Sequence, residues 1–127
     1  MRVEGTSRAH RILVVDDNPQ VADSFQVMLE TMGHQVRARY SGEAALATIS
    51  DFRPDVAFLD IGMPGMDGYQ LAAAIRAAGL EPGPLLVAVT GYGLDSDRKA
   101  AMNAGFDRYL LKPPSPEQLE ALLQELG

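Results

Sequence analysis

The sequence predicts a doubly wound α/β domain: a five-stranded parallel sheet in the order 2-1-3-4-5, with helices on both faces. Short apolar runs alternate with amphipathic segments along the chain, the pattern of repeated strand–helix units. The runs at residues 12–15, 56–59 and 85–89 are apolar at every position, as strands covered on both faces are. The second strand instead alternates apolar and charged residues, Val36-Arg37-Ala38-Arg39-Tyr40, which suits an edge. An order of 2-1-3-4-5 satisfies this, with strands one, three and four inside and strands two and five at the edges, and keeps every crossover right-handed.

Each element has a local reason. After the first strand, Asn18 and Pro19 read as N-cap and first helical position. The helix that follows carries Val21, Phe25, Met28, Leu29 and Met32 on one face and stops at Gly33. Ser41 caps a second helix that buries Ala45, Leu46, Ile49 and Phe52. Asp67 caps a third, with Leu71, Ala74, Ile75 and Ala78 inward. A fourth spans residues 95–104 and ends at Gly105, before a short last strand at 108–111. Ser115-Pro116-Glu117-Gln118 combines an N-cap, a first-position Pro and a capping-box Gln. Leu119, Leu122, Leu123 and Leu126 then form the stripe of the fifth helix.

The length of 127 residues and apolar fraction of 46% suit one domain with a sizeable core, residues 11–127, after a polar, flexible lead-in at 1–10. The chain has no Cys, which removes disulfides and thiolate metal sites. No run approaches the roughly 20 apolar residues of a membrane span. The N-terminus lacks the apolar core of a signal peptide, so a cytoplasmic location without a membrane partner is expected. A net charge of −6, with Lys and Arg scattered and only Arg98 and Lys99 adjacent, argues against a nucleic-acid partner. His10 and His34 stand isolated in polar sequence and read as surface residues; Met63 and Met66 read as packing for the loop after the third strand.

Four apolar runs each end on a polar residue: Asp17 after Asp16, Asp60, Thr90 and Lys112. In a parallel sheet all four emerge at the carboxyl edge, where open α/β sheets bind ligands, and the 2-1-3-4-5 order gathers Asp16, Asp17 and Asp60 in one crevice. Carboxylates that close disfavour common ionisation unless a cation offsets them. A hard divalent cation such as Mg2+ does so with oxygen ligands. Asp17 and Asp60 are the candidates for direct ligands, Asp16 for contact through a metal-bound water, and the Gly62 carbonyl for a further oxygen. An Asp carboxylate is a precedented phosphoryl acceptor. Asp60 is the candidate, with Lys112 offsetting charge on the phosphoryl oxygens and Thr90 donating a hydrogen bond to one of them.

Four segments carry a family resemblance: Ile12-Leu13-Val14-Val15-Asp16-Asp17-Asn18, Leu59-Asp60-Ile61-Gly62-Met63-Pro64-Gly65-Met66-Asp67-Gly68, Val89-Thr90-Gly91 and Ala104-Gly105-Phe106-Asp107-Arg108-Tyr109-Leu110-Leu111-Lys112-Pro113. In this order they resemble the flavodoxin-like receiver domain of two-component response regulators, over residues 11–126. That family is itself a known example of the 2-1-3-4-5 order, so order and resemblance are not independent. The resemblance implies that Asp60 is the phosphoacceptor, Asp16 and Asp17 the acidic pair, Thr90 and Lys112 the phosphoryl partners, and Tyr109 a switch residue moving with Thr90. It implies a cis bond between Lys112 and Pro113. It also implies a signalling domain that assists its own phosphorylation and dephosphorylation rather than an enzyme. The partners would be a sensor histidine kinase or histidine phosphotransfer protein, and an unknown output protein. Gly62 puts no side chain where many members carry a larger one, and Tyr92 falls at a variable place. The loop from Gly91 to Asp95 resembles the receivers of hybrid sensor kinases. With no effector domain after the fifth helix, the chain would be a stand-alone receiver or a piece of such a kinase.

Two other classes stay open. A Mg2+-dependent phosphohydrolase of the haloacid-dehalogenase type also uses Asp, Ser/Thr and Lys at strand ends. It needs a second Asp two places after a first-strand nucleophile, where Asn18 follows Asp16, and the chain lacks a cap domain. A receiver-like interaction module that is never phosphorylated is the other. A flavin site lacks a Ser/Thr-Gly phosphate loop after the first strand.

Overall fold

The computed structural model describes residues 9–91 and 95–126, the side chains of 95–98 excepted. The lead-in at 1–8, Tyr92 with its two following residues, and the Arg98 side chain lie outside the described residues. The elements are β1 (Arg11–Val15), α1 (Pro19–Thr31), β2 (Gln35–Arg39), α2 (Gly42–Phe52), β3 (Val56–Asp60), α3 (Gly68–Ala77), β4 (Leu85–Thr90), α4 (Asp95–Asn103), β5 (Arg108–Leu111) and α5 (Pro116–Glu125). All strand pairs are parallel, in the order β2-β1-β3-β4-β5.

The helices start where the sequence caps them. Asn18 accepts the Gln20 N–H at 3.0 Å, and Ser41 accepts that of Ala44 at 3.1 Å. Asp67 with Gln70, and Ser115 with Gln118, close capping boxes. Each such cap contributes about 1 kcal/mol. Gly33 and Gly105, at φ 99° and 107°, turn the chain out of α1 and α4 in the left-handed region that glycine tolerates.

Alternation along the strands splits the core in two. Ile12, Val14 and Phe58 pack with Phe25 and Leu29 of α1 and Leu119 and Leu123 of α5. Leu13, Val15 and Leu59 pack with Ile49 of α2, Leu71 and Ile75 of α3, and Ala101 of α4. Met63 belongs to this second core, and Met66 lies against Gly42 at the start of α2.

Several expectations are corrected. The buried stripe of α3 is Gly68, Leu71, Ala72 and Ile75, while Ala78 is the exposed C-cap. The stripe begins at Gly68, whose missing side chain seats the helix against the loop after β3, and that sets its rotation. Val21 is 39% exposed rather than core. His10 and His34 are buried, not surface residues. Each precedes a strand, and the β1–β2 register, Arg11 opposite Gln35, brings them together one place earlier. The peptide bond between Lys112 and Pro113, by contrast, is cis as the resemblance implies.

Candidate functional site

The side chains of Val14, Phe58 and Leu110 face the α1–α5 side of the sheet. Residues two further along a strand share its face, so Asp16, Asp60 and Lys112 emerge there together. Lys112 Nζ lies 2.9 Å from Asp16 Oδ2 and 3.1 Å from Asp60 Oδ1. Asp16 Oδ1 also accepts the Asn18 N–H at 2.9 Å, and Asp60 Oδ1 that of Gly62 at 3.1 Å. Asp16 and Asp60 are buried, whereas Asp17 is exposed at the rim.

One carboxylate oxygen from each of Asp16, Asp17 and Asp60 lies within 4.8 Å of the other two. Three carboxylates against one ammonium leave an excess of negative charge. An all-oxygen donor set of this charge fits a hard divalent cation. Burial, assisted by the Asp16 charge, holds the Asp60 carboxyl above its usual value; the Gly62 N–H and Lys112 pull the other way without cancelling it. Burial acts to lower Lys112, but its bonds to Asp16 and Asp60 outweigh that and leave it above its ordinary value.

Thr90, buried at the end of β4, lies one place beyond the pair formed by Asp60 and Val89. Its carbonyl accepts the Lys112 N–H at 2.7 Å, fixing the backbone of Lys112 to β4. Tyr109 is paired with Ala88 and is half-buried, so it occupies the same sheet face as Thr90, two residues back. Beneath Asp16, Asp60 and Lys112 opens a 440 Å3 hollow walled by Val14, Val21, Phe25, Met28 and Phe58, which accounts for the exposure of Val21. A Cβ on Gly62 would meet nothing within 4 Å; one on Gly68 would lie 2.5 Å from the Asp60 carbonyl oxygen.

Residues 12–124 match the family model for the response regulator receiver domain. The chain belongs to this family. The receiver domain is 42% identical over 118 residues to the sensor histidine kinase GacS of Pseudomonas protegens, a match covering 90% of this chain and 13% of that protein. It is 39% identical over 116 residues to the response regulator MprA of Mycobacterium avium, covering 91% of this chain and 50% of that protein. The chain thus spans half or less of the length of these relatives. Among solved structures, the chemotaxis protein CheY4 of Vibrio cholerae superposes with a TM-score of 0.87 at 26% identity, covering 94% of this chain and 100% of that one. The receiver domain is a signalling domain of a two-component system, and among its described residues no helix is long and apolar enough to cross a membrane.

The role of Gly68 beneath the acceptor went unread in the sequence, although a glycine directly after a helix cap was the available signal.

Proposed function

We propose that Asp60 accepts a phosphoryl group from a phosphohistidine of a sensor histidine kinase or a histidine phosphotransfer protein, and that this changes a protein-binding face. The observation that carries this is the Lys112 ammonium spanning Asp16 and Asp60 at 2.9 and 3.1 Å, at the mouth of a three-carboxylate cluster. An Asp60 oxygen attacks phosphorus; the O–P bond forms as the P–N bond breaks, and that bonding pair stays on the imidazole nitrogen. Lys112 pairs with a phosphoryl oxygen, and the Thr90 hydroxyl donates to another. Asp17 and Asp60 would hold Mg2+ directly, with Asp16 acting through water and the Gly62 carbonyl adding an oxygen. When bound, the ion supplies positive charge to the phosphoryl oxygens. Later a water attacks phosphorus and the Asp60 carboxylate leaves, releasing phosphate. The bare Gly62 leaves the water's approach open on its side.

The phosphoryl group draws Thr90 inward, and Tyr109, on the same face of the sheet, fills the vacated space. A few kcal/mol of preference shifts the population toward that arrangement. The face made by α4, β5 and α5 then meets an output protein, not nucleic acid or membrane, in the cytoplasm. Residues 11–127 act as the receiver and 1–10 as its lead-in. The domain assists its own phosphorylation and dephosphorylation, without turnover of an external substrate.

Acetyl phosphate with Mg2+ tests this by intact-mass spectrometry. One phosphoryl adduct is expected on the wild type and none on Asp60→Asn. Labelling that survives Asp60→Asn but disappears with Asp16→Asn points to the hydrolase, as does multiple turnover of phosphate esters. An unlabelled wild type with negligible Mg2+ affinity points to an inert interaction module.

A further inference from the structure

Arg11 of β1 and Arg37 and Arg39 of β2 meet on one face of the sheet. In the register Leu13 opposes Arg37 and Val15 opposes Arg39, and Arg11 is two residues before Leu13. All three side chains therefore leave on the side that carries α2. Arg11 donates to the Phe52 carbonyl, through Nε at 2.7 Å and also through Nη2, and its guanidinium lies 4.7 Å from the Phe52 ring. Arg37 lies 4.9 Å from the same ring. Arg39 donates to Thr48 Oγ1 and to the Ala38 carbonyl, both at 2.7 Å. Among the described residues, none of the three forms an ion pair with a carboxylate. In a chain of net charge −6 such a group of unneutralised guanidiniums is an electrostatic anomaly.

The three arginines, with Thr48 and the exposed Asp51, line a 330 Å3 hollow. We propose that this hollow binds the phosphate group of a small phosphorylated molecule. Three guanidiniums against one rim carboxylate suit a dianion, and planar guanidinium forks match phosphate oxygens two at a time. Arg11 and Arg39 are already held by the protein, so little side-chain freedom is lost on binding. Arg37 makes only a 3.4 Å bond to the Val36 carbonyl and keeps donors available. The volume lies near the lower end of the roughly 300–1,000 Å3 typical of small-molecule sites. A concave site of that size favours a phosphate with a small organic remainder over a protein surface. It is separate from Asp60, so phosphoryl transfer there can fail or succeed without bearing on it.

Pyrophosphate in Mg2+-free buffer is the probe, followed by calorimetry and by amide chemical shifts. Saturable binding is expected, with shifts concentrated in β2 and α2. Arg37→Ala should weaken it about tenfold or more, the loss of one good charge-assisted contact. Arg37→Lys should recover only part, because an ammonium cannot fork, while Arg108→Ala, remote and equally charged, should leave affinity unchanged. Arg37 is exposed, and thermal melting verifies that its variants fold. No saturable binding, equal losses in Arg37→Ala and Arg108→Ala, or shifts centred on Thr90 and Lys112 would overturn the proposal. So would a phosphoserine peptide that binds here when pyrophosphate does not.

Discussion

His10 and His34 stack with ring centroids 5.6 Å apart, and the main-chain N–H of His10 donates to His34 Nδ1 at 3.0 Å. Burial, and then the neighbouring His10, hold His34 below its ordinary value of 6.5. As pH falls the unfolded chain therefore takes up the proton first. The contribution to stability is complete above the unfolded value and is lost as pH drops below it. Lowering pH from about 7.5 to about 5 should depress the melting temperature of the wild type more than that of His34→Gln. Parallel slopes in a melting series across that range would contradict this.

Asp60→Asn should stabilise the metal-free protein at neutral pH. Burial raises the folded pKa of Asp60 above 3.8, so the folded state holds that proton to higher pH than the unfolded chain. Its favourable contribution is present at low pH and lost as pH rises through the folded value. Calorimetry in the presence of EDTA should show a higher melting temperature for the variant at pH 7, a gap that closes toward acid.

Lys112→Ala should do the opposite. It leaves Asp16 and Asp60 buried side by side with their shared cation gone. Urea unfolding should show a loss of about 1–3 kcal/mol at neutral pH. Saturating Mg2+ should return part of it, since a divalent ion offsets the same charge; a loss indifferent to Mg2+ would place the cause in packing.

Arg76 on α3 donates to the Gly105 carbonyl at 3.1 and 3.0 Å, to that of Pro84 at 2.9 Å, and pairs with Asp107 at 2.6 Å. The same Asp107 oxygen accepts the Leu86 N–H at 2.8 Å. One planar group thus ties α3, the end of α4 and the starts of β4 and β5. Arg76→Lys keeps the charge but not the fork, and should cost about 1–3 kcal/mol in urea unfolding. A loss no larger than that of an exposed surface Lys exchange would contradict the clamp.

The strands, helix caps and strand-end residues were legible because each leaves a local mark. Three runs apolar at every position announce buried strands, and Asn18, Ser41, Asp67 and Ser115 announce helix starts. Asp16, Asp60 and Lys112 are brought together by the same local rule, since each ends or directly follows a strand. His10 with His34, and Arg11 with Arg37 and Arg39, left no such mark. The alternation of the second strand puts Arg37 and Arg39 on one face, but their meeting with Arg11, like that of His10 with His34, exists only once the β1–β2 register is fixed. Arg76 was silent for a related reason: a lone arginine near the end of a helix looks like solvated surface until its acceptors arrive from distant loops.

A Cβ at Gly68 would also fall 2.7 Å from the Ile61 Cα, so the first turn of α3 rests directly on the chain just beyond the acceptor. A larger residue at 68 could be accommodated only by moving the helix start and the acceptor's own peptide together, which couples the seating of α3 to the position of Asp60.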